Sequence, residues 1–92
     1  MTVRVLISGF VQGVGFRQFV KSNAQSLNIN GWVKNISNGN VEAVFQGSEE
    51  NIEHLIGICK KGPFLSEVEN IEVEKLSDSK TFDKFEIVSQ VS

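Results

Sequence analysis

The centre of the chain reads WVKNISNGNVEAVFQ, residues 32–46. An Asn-Gly pair at positions 38–39 separates two runs in which apolar and polar residues alternate. This combination is the strongest short-range signal of a β-hairpin, because the tight turn between the strands requires positive φ angles. We therefore predict antiparallel strands over residues 32–36 and 41–46.

A helix is predicted on each side of this hairpin. Upstream, apolar residues recur at three-to-four spacing from Phe16 to Leu27, and Asn28 can end the helix because asparagine tolerates the left-handed backbone conformation. Downstream, Ser48 followed by two glutamates is typical of a helix start, and KKGP at residues 60–63 is typical of a helix end. The apolar stripe between these two signals indicates a helix with one buried face.

The remaining segments are predicted to be strands. Residues 3–7 alternate with period two, and residues 68–76 and 85–88 form two later runs separated by a polar turn at 77–80. The order β-α-β-β-α-β plus a short final strand predicts an α+β, ferredoxin-like (split βαβ) two-layer sandwich. In that fold two helices cover one face of a mostly antiparallel sheet. We expect a single domain over residues 1–92.

Composition limits the partners and the location of the protein. The 92 residues carry a net charge of −2, so no positive field attracts nucleic acid. Apolar runs are far shorter than the roughly 18 residues that a membrane-spanning helix requires, and residues 1–8 alternate instead of forming a signal peptide. Cys59 is the only cysteine and cannot form an internal disulfide. We therefore expect a cytoplasmic monomer that associates with neither nucleic acid nor membrane.

The segment before the first helix, residues 9–17, reads GFVQGVGFR. Its glycines allow backbone conformations in which several successive N–H groups point inward, and such a loop binds phosphate at a helix N-terminus. Arg17 falls in the first helical turn, where the helix dipole disfavours an exposed positive charge by about 0.3–1 kcal/mol. A bound anion removes that conflict, and the guanidinium fork fits two phosphoryl oxygens. On these features alone, an ordinary glycine-rich turn with a solvated arginine is an equal alternative.

Two common nucleotide-binding patterns do not fit this loop. A Walker loop requires Lys-Ser or Lys-Thr after its second glycine, and neither follows Gly13 or Gly15. The dinucleotide fingerprint requires a third glycine at the position that Gln18 occupies. The sequence therefore favours neither ATP hydrolysis nor dinucleotide binding.

The run Gly-x-Val-Gln-Gly-Val-Gly-Phe-Arg at residues 9–17 resembles the signature of the acylphosphatases. GWVKN at residues 31–35 resembles the second signature of that family. Further family landmarks occur in the expected order at Asn38-Gly39-x-Val41-Glu42, Gly47, Gly62-Pro63 and Phe85-x-Ile87. The resemblance covers essentially the whole chain. Its departures are Asn28 for a frequent glycine, Asn38 for a frequent aspartate and Ser66 for a frequent alanine, and asparagine is expected to keep the first two turns by adopting positive φ.

This resemblance implies hydrolysis of the carboxyl-phosphate bond of small acyl phosphates to a carboxylate and inorganic phosphate. Carried over residue by residue, Arg17 matches the substrate-binding arginine of the family and Asn35 its water-orienting asparagine. The residues implied to bind phosphate through the loop backbone are Gln12, Gly13, Val14, Gly15, Phe16 and Arg17. The resemblance implies no metal and no cofactor, and a small acyl phosphate as the partner.

Asn35 has a simpler interpretation apart from the resemblance. Strand parity places it on the face of Val33, opposite Trp32. A polar residue there can bond to a neighbouring turn and have no chemical role.

Other reactive side chains give weaker signals. His54 is the only histidine, lies among charged residues and is expected to be solvated, so no zinc site is predicted. Cys59 lies on the apolar stripe of the second helix and is expected to be a small buried hydrophobe. Trp32 and most of the seven phenylalanines are expected to pack in the core. Phe10 and Phe16 could instead flank the acyl group, but packing is favoured for them as well.

Two other classes of function are open to the predicted fold. The first is a non-catalytic domain that binds acyl or carbamoyl phosphate or senses a metabolite with the same loop. The second is RNA binding on the sheet, which requires exposed aromatic residues in a basic setting. It ranks last, because the strand over residues 41–46 offers only Phe45 beside the acidic Glu42.

Overall fold

The computed structural model of the chain describes residues 1–89 and contains two helices and five strands in the predicted order. The elements are β1 (Thr2–Phe10), α1 (Phe16–Ser26), β2 (Asn30–Asn35), β3 (Val41–Gln46), α2 (Glu49–Lys61), β4 (Glu67–Leu76) and β5 (Phe85–Ile87). Strand β2 begins earlier than predicted because Asn30 pairs with Gln46 at the far end of β3. At the end of α1, Asn28 has the predicted positive φ, 55°.

The five strands form one sheet in the order β4-β1-β3-β2-β5. All neighbouring strands are antiparallel except β2 and β5, which are parallel. The two βαβ units therefore interleave: β3 lies between β1 and β2, and β1 lies between β3 and β4. This arrangement confirms the ferredoxin-like fold.

The core lies between the two helices and one face of the sheet. Its fully buried side chains include Val5, Ile7, Val20, Val33, Phe45, Leu55 and Cys59. Burial raises the pKa of the Cys59 thiol to about 12, so Cys59 is a packing residue, as predicted, and no thiolate forms near neutral pH.

The aromatic residues depart from the sequence-based expectation. Trp32 lies half-buried on the sheet face away from the helices, because its neighbour Val33 takes the core position, and the Lys34 ammonium lies 5.2 Å from the Trp32 ring centroid. Three of the seven phenylalanines, Phe16, Phe45 and Phe85, belong to the core. Phe10 and Phe64 are mostly exposed. The prediction that Trp32 and most phenylalanines pack in the core was therefore wrong.

The connection between β4 and β5 is a crossover and not the local turn that the sequence suggested. The two strands lie at opposite edges of the sheet, so the connection passes the ends of three other strands. The Gln46 side chain holds it, donating to the Lys80 carbonyl at 2.7 Å and accepting from the Phe82 N–H at 2.9 Å. Asn30 donates to the Phe82 carbonyl at 2.9 Å. This crossover brings β5 alongside β2.

Candidate active site

A pocket of about 180 Å³ lies where the β1–α1 loop meets the end of β2. The residues that line it are Val11, Gly13, Gly15, Phe16, Arg17, Gln18, Asn35 and Ile87. They come from the loop, from the first turn of α1 and from two neighbouring strands. The pocket therefore depends on the sheet topology as well as on the local loop sequence.

The loop owes its shape to two glycines. Gly13 and Gly15 both have a φ of 76°, and Gly15 is the N-cap of α1 in the left-handed conformation. A Cβ atom added at either glycine would meet no heavy atom within 4 Å. Conformation, and not space, is therefore what requires glycine at these two positions.

The N-terminus of α1 is left open by its sequence. Its N-cap, Gly15, offers no side-chain acceptor, and the first turn contains no acidic residue. The first backbone N–H groups of a helix have no partner inside the helix, and they carry a partial positive charge. This end of α1 can therefore donate hydrogen bonds to an anion in the pocket.

Arg17 adds a full positive charge at the same place. Its side chain is half-buried in the wall of the pocket. Within residues 1–89 no carboxylate lies within ion-pair distance of it, whereas Arg4 pairs with both Glu42 and Glu74. The pocket therefore contains a guanidinium whose donors are available to a ligand.

Asn35 reaches the pocket from the last position of β2. It lies on the same face as the fully buried Val33, as strand parity predicted. Within residues 1–89, its Oδ1 atom is the only buried side-chain oxygen or nitrogen without a hydrogen-bond partner. A buried acceptor in this state costs about 1–3 kcal/mol. A ligand or water that donates a hydrogen bond to Oδ1 would recover that free energy.

The structure thus brings Arg17 and Asn35, which are distant in sequence, into one pocket. Three of the residues predicted to bind phosphate also line it: Gly13, Gly15 and Phe16. The side chains of the other two point elsewhere. Gln12 bonds to the β2–β3 turn, and Val14 packs against the core. The prediction for both concerned their backbone N–H groups, and for these it stays a prediction.

Three lining residues were not among the predicted site residues: Val11, Gln18 and Ile87. Val11 lies in the predicted loop and Gln18 in the first turn of α1, so their position in the sequence was a usable signal. Ile87 had none: it reaches the pocket because β5 pairs with β2, where Ile87 lies beside Val33. Pairing between strands this far apart is not encoded in a local pattern.

Two other kinds of site receive no support from the described residues. His54 is exposed on α2, and no group of three or more His, Cys, Asp or Glu side chains in residues 1–89 is placed to hold a metal ion. In the same residues, neither helix combines the length and apolar character needed to cross a membrane.

Sequence and structure comparisons agree on the family. The Acylphosphatase family profile matches residues 3–87. The chain belongs to the acylphosphatase family. The acylphosphatase of Geotalea uraniireducens is 41% identical over 83 residues, which are 90% of this chain and 91% of that protein. By membership of this family the chain is a hydrolase, as its two signature segments predicted.

Solved structures extend the agreement to the whole fold. The crystal structure of acylphosphatase from Bacillus subtilis matches with a TM-score of 0.92 and 36% identity, covering 95% of this chain and 97% of that chain. A crystal structure of full-length HypF in a phosphate- and nucleotide-bound form matches with a TM-score of 0.88 and 37% identity. That match covers 97% of this chain and 12% of HypF, so the same fold also occurs as a small part of a larger protein.

Proposed function

We propose that the chain hydrolyses the carboxyl-phosphate bond of small acyl phosphates in the pocket between the β1–α1 loop and Asn35. The observation that carries this proposal is the convergence of three groups on one pocket. These groups are the open N-terminus of α1, the guanidinium of Arg17 and the buried, unpartnered Oδ1 of Asn35. The first two suit an anion, and the third suits a hydrogen-bond donor such as water.

In the binding step, the phosphoryl oxygens accept hydrogen bonds from the loop N–H groups of residues 12–17 and from the Arg17 fork. Both sources of positive potential are fixed before the substrate arrives: one is a helix dipole and the other is a guanidinium that stays charged at every physiological pH. Phosphoryl transfer requires mainly positioning and stabilisation of negative charge. Preorganised donors of this kind provide both.

In the chemical step, water attacks phosphorus in line with the bond to the acyl oxygen. Asn35 Oδ1 accepts a hydrogen bond from this water and so fixes the direction of its lone pair. The new P–O bond forms as the old one breaks, and the bonding electron pair leaves with the carboxylate. A carboxylate is a stable anion at neutral pH, so the leaving group requires no proton donor.

The protein is proposed to supply no general base. Among the residues that line the pocket, Arg17 is the only one that is ionisable. The proton of the attacking water therefore passes to phosphate or to solvent. This scheme uses no metal ion, and turnover should persist in the presence of a chelator.

Two alanine variants test the roles of the pair. Arg17→Ala should weaken inorganic phosphate binding and lower kcat/KM by about 1,000-fold, because it removes charge stabilisation in both the ground state and the transition state. Asn35→Ala should keep phosphate affinity and lower kcat by about 100-fold, because only the attacking water is affected. Steady-state hydrolysis of a synthetic acyl phosphate and calorimetric titration with phosphate measure the two effects.

Arg4→Ala is the matched control, because it removes the other arginine from the opposite face of the sheet and should leave both measurements unchanged. An equal loss of phosphate affinity in Arg17→Ala and Asn35→Ala would contradict the assigned roles. Phosphate binding by the unaltered protein without any turnover would favour a non-catalytic binding domain.

The remaining expectations extend this proposal. A monomeric state stays a prediction from the sequence. A single domain over residues 1–92, a cytoplasmic location and the lack of a nucleic-acid partner stay predictions from the sequence.

A further inference from the structure

The side chain of Gln12 connects the β1–α1 loop to the β2–β3 turn. Its Nε2 atom lies 2.9 Å from the Ile36 carbonyl oxygen and 2.8 Å from the Asn40 carbonyl oxygen. Because both partners are acceptors, the amide nitrogen and not the amide oxygen must face them. Both N–H bonds of one side chain are therefore committed to the turn.

The two carbonyl groups bracket Asn35. Ile36 follows Asn35 directly, and Asn40 precedes Val41, which is the cross-strand partner of Asn35. The turn itself is closed by the Ile36 N–H, which donates to the Asn40 carbonyl at 3.0 Å. Gln12 thus contacts both ends of the β2–β3 turn, next to Asn35 and to its cross-strand partner.

Within residues 1–89, these are the only side-chain hydrogen bonds between the β1–α1 loop and the hairpin. The loop leads directly into α1, which carries Arg17. One half of the pocket is therefore built on the loop and helix, and the other half on Asn35 of the hairpin and Ile87 of β5. Gln12 joins the two halves.

We propose that Gln12 is a positioning residue that sets the distance between the phosphate-binding loop and Asn35. This inference rests on the proposed roles of Arg17 and Asn35. The loop and α1 hold the phosphoryl group. The two hydrogen bonds of the Gln12 side chain place the Asn35 amide so that the attacking water lies in line with the scissile bond. A displacement of about 1 Å at a distance from the reacting atoms can cost about 100-fold in rate.

Gln12→Met tests this proposal, because methionine keeps the length of the side chain and removes its donors. Both carbonyls retain a partner in this variant, since Ile36 O also accepts from the Gly39 N–H and Asn40 O from the Ile36 N–H. We expect kcat to fall by about 10- to 100-fold while the Kd for inorganic phosphate changes by less than about threefold. Gln25→Met, an exposed glutamine on α1, is the matched control and should leave both values unchanged.

A double-mutant cycle with Asn35→Ala tests whether Gln12 affects kcat through Asn35. If Gln12 acts through Asn35, adding Gln12→Met to Asn35→Ala should lower kcat by less than about threefold. Losses that multiply in the double variant would overturn the proposal, and so would a phosphate Kd that rises as much as kcat falls. Circular dichroism checks the fold of each variant, and Gln12→Asn, whose amide is one methylene shorter, replaces Gln12→Met if that variant does not fold.

The cycle also separates this inference from the proposed function. If Asn35→Ala alone keeps full kcat, the role proposed for Asn35 is wrong, whatever Gln12 does. If Asn35→Ala loses activity and Gln12→Met does not, the role of Asn35 stands and the positioning role of Gln12 is wrong.

Discussion

The two helices of this protein begin in opposite ways. Helix α2 follows every local rule: the Ser48 side chain accepts a hydrogen bond from the Asn51 N–H at 3.1 Å, and Glu49 and Glu50 occupy the first turn. Helix α1 follows none of them, because a left-handed Gly15 replaces the cap and Arg17 replaces the acid. A side-chain cap contributes about 1 kcal/mol and a charge suited to the dipole about 0.3–1 kcal/mol. Helix α1 lacks both contributions, and it is the helix that borders the pocket.

This difference separates a helix start that serves folding from one that serves binding. At α2 the protein itself satisfies the exposed N–H groups. At α1 the same groups stay available, and Arg17 raises the local positive potential further. An anion at the start of α1 would therefore supply the hydrogen-bond acceptors and the negative charge that Ser48 and the two glutamates supply at α2.

The largest expected effect on stability is stabilisation by inorganic phosphate. At a phosphate concentration of about 100 times Kd, the free energy of unfolding should rise by about 2.7 kcal/mol, because only the folded protein presents the open helix start. Thermal unfolding monitored by circular dichroism should show this as an increase of about 11–22 °C in Tm. Arg17→Ala should abolish the increase; an undiminished increase in that variant would place the anion elsewhere.

The next effect comes from giving α1 the acid that it lacks. Gln18→Glu in the first turn should raise the free energy of unfolding by about 0.3–1 kcal/mol, because a negative charge complements the helix dipole. Since Gln18 also lines the pocket, the same charge should weaken phosphate binding by about tenfold, or about 1.4 kcal/mol. Chemical denaturation and phosphate titration measure the two changes.

Glu49→Gln is the reciprocal variant at α2. It should lower the free energy of unfolding by about 0.3–1 kcal/mol and leave the phosphate Kd unchanged. If Gln18→Glu stabilised the protein and also kept full phosphate affinity, the start of α1 would not be the phosphate site.

Removing the cap of α2 is expected to change stability and leave activity unaffected. Ser48→Ala leaves the Asn51 N–H without its acceptor and should lower the free energy of unfolding by about 1 kcal/mol. Because Ser48 is exposed and outside the pocket, kcat/KM should equal that of the unaltered protein at a temperature where both are folded. A loss of activity in Ser48→Ala would show that α2 contributes more to the site than packing.

Most of the fold was predictable because each element carries its own local signal. The Asn38-Gly39 pair, the Ser48 cap and the left-handed Asn28 each act through the conformation of a few neighbouring residues. One turn was predicted for the wrong reason, since Asn38 does not have a positive φ. Instead its Oδ1 accepts a hydrogen bond from the Asn40 N–H at 3.2 Å.

The errors in the fold have a common cause. Trp32 was expected in the core because it is large and apolar, but the pairing of β2 places Val33 on the helix side and Trp32 on the other. A local turn was expected at residues 77–80 because this segment is polar. The path of the connection between β4 and β5 depends on the strand with which β5 pairs. That strand is β2, which lies at the opposite side of the sheet from β4.

By itself, the sequence determined the order of the elements, the glycine-rich loop and the identity of the two residues proposed to act on the substrate. Only the tertiary structure decided that Arg17 and Asn35 share one pocket, that Ile87 lines it and that Oδ1 of Asn35 is buried without a partner. The physical reason is one of range. Backbone conformation and capping depend on neighbours within one turn or one hairpin, whereas the pocket depends on strand pairings and side-chain hydrogen bonds between segments that are brought together only by the packed sheet.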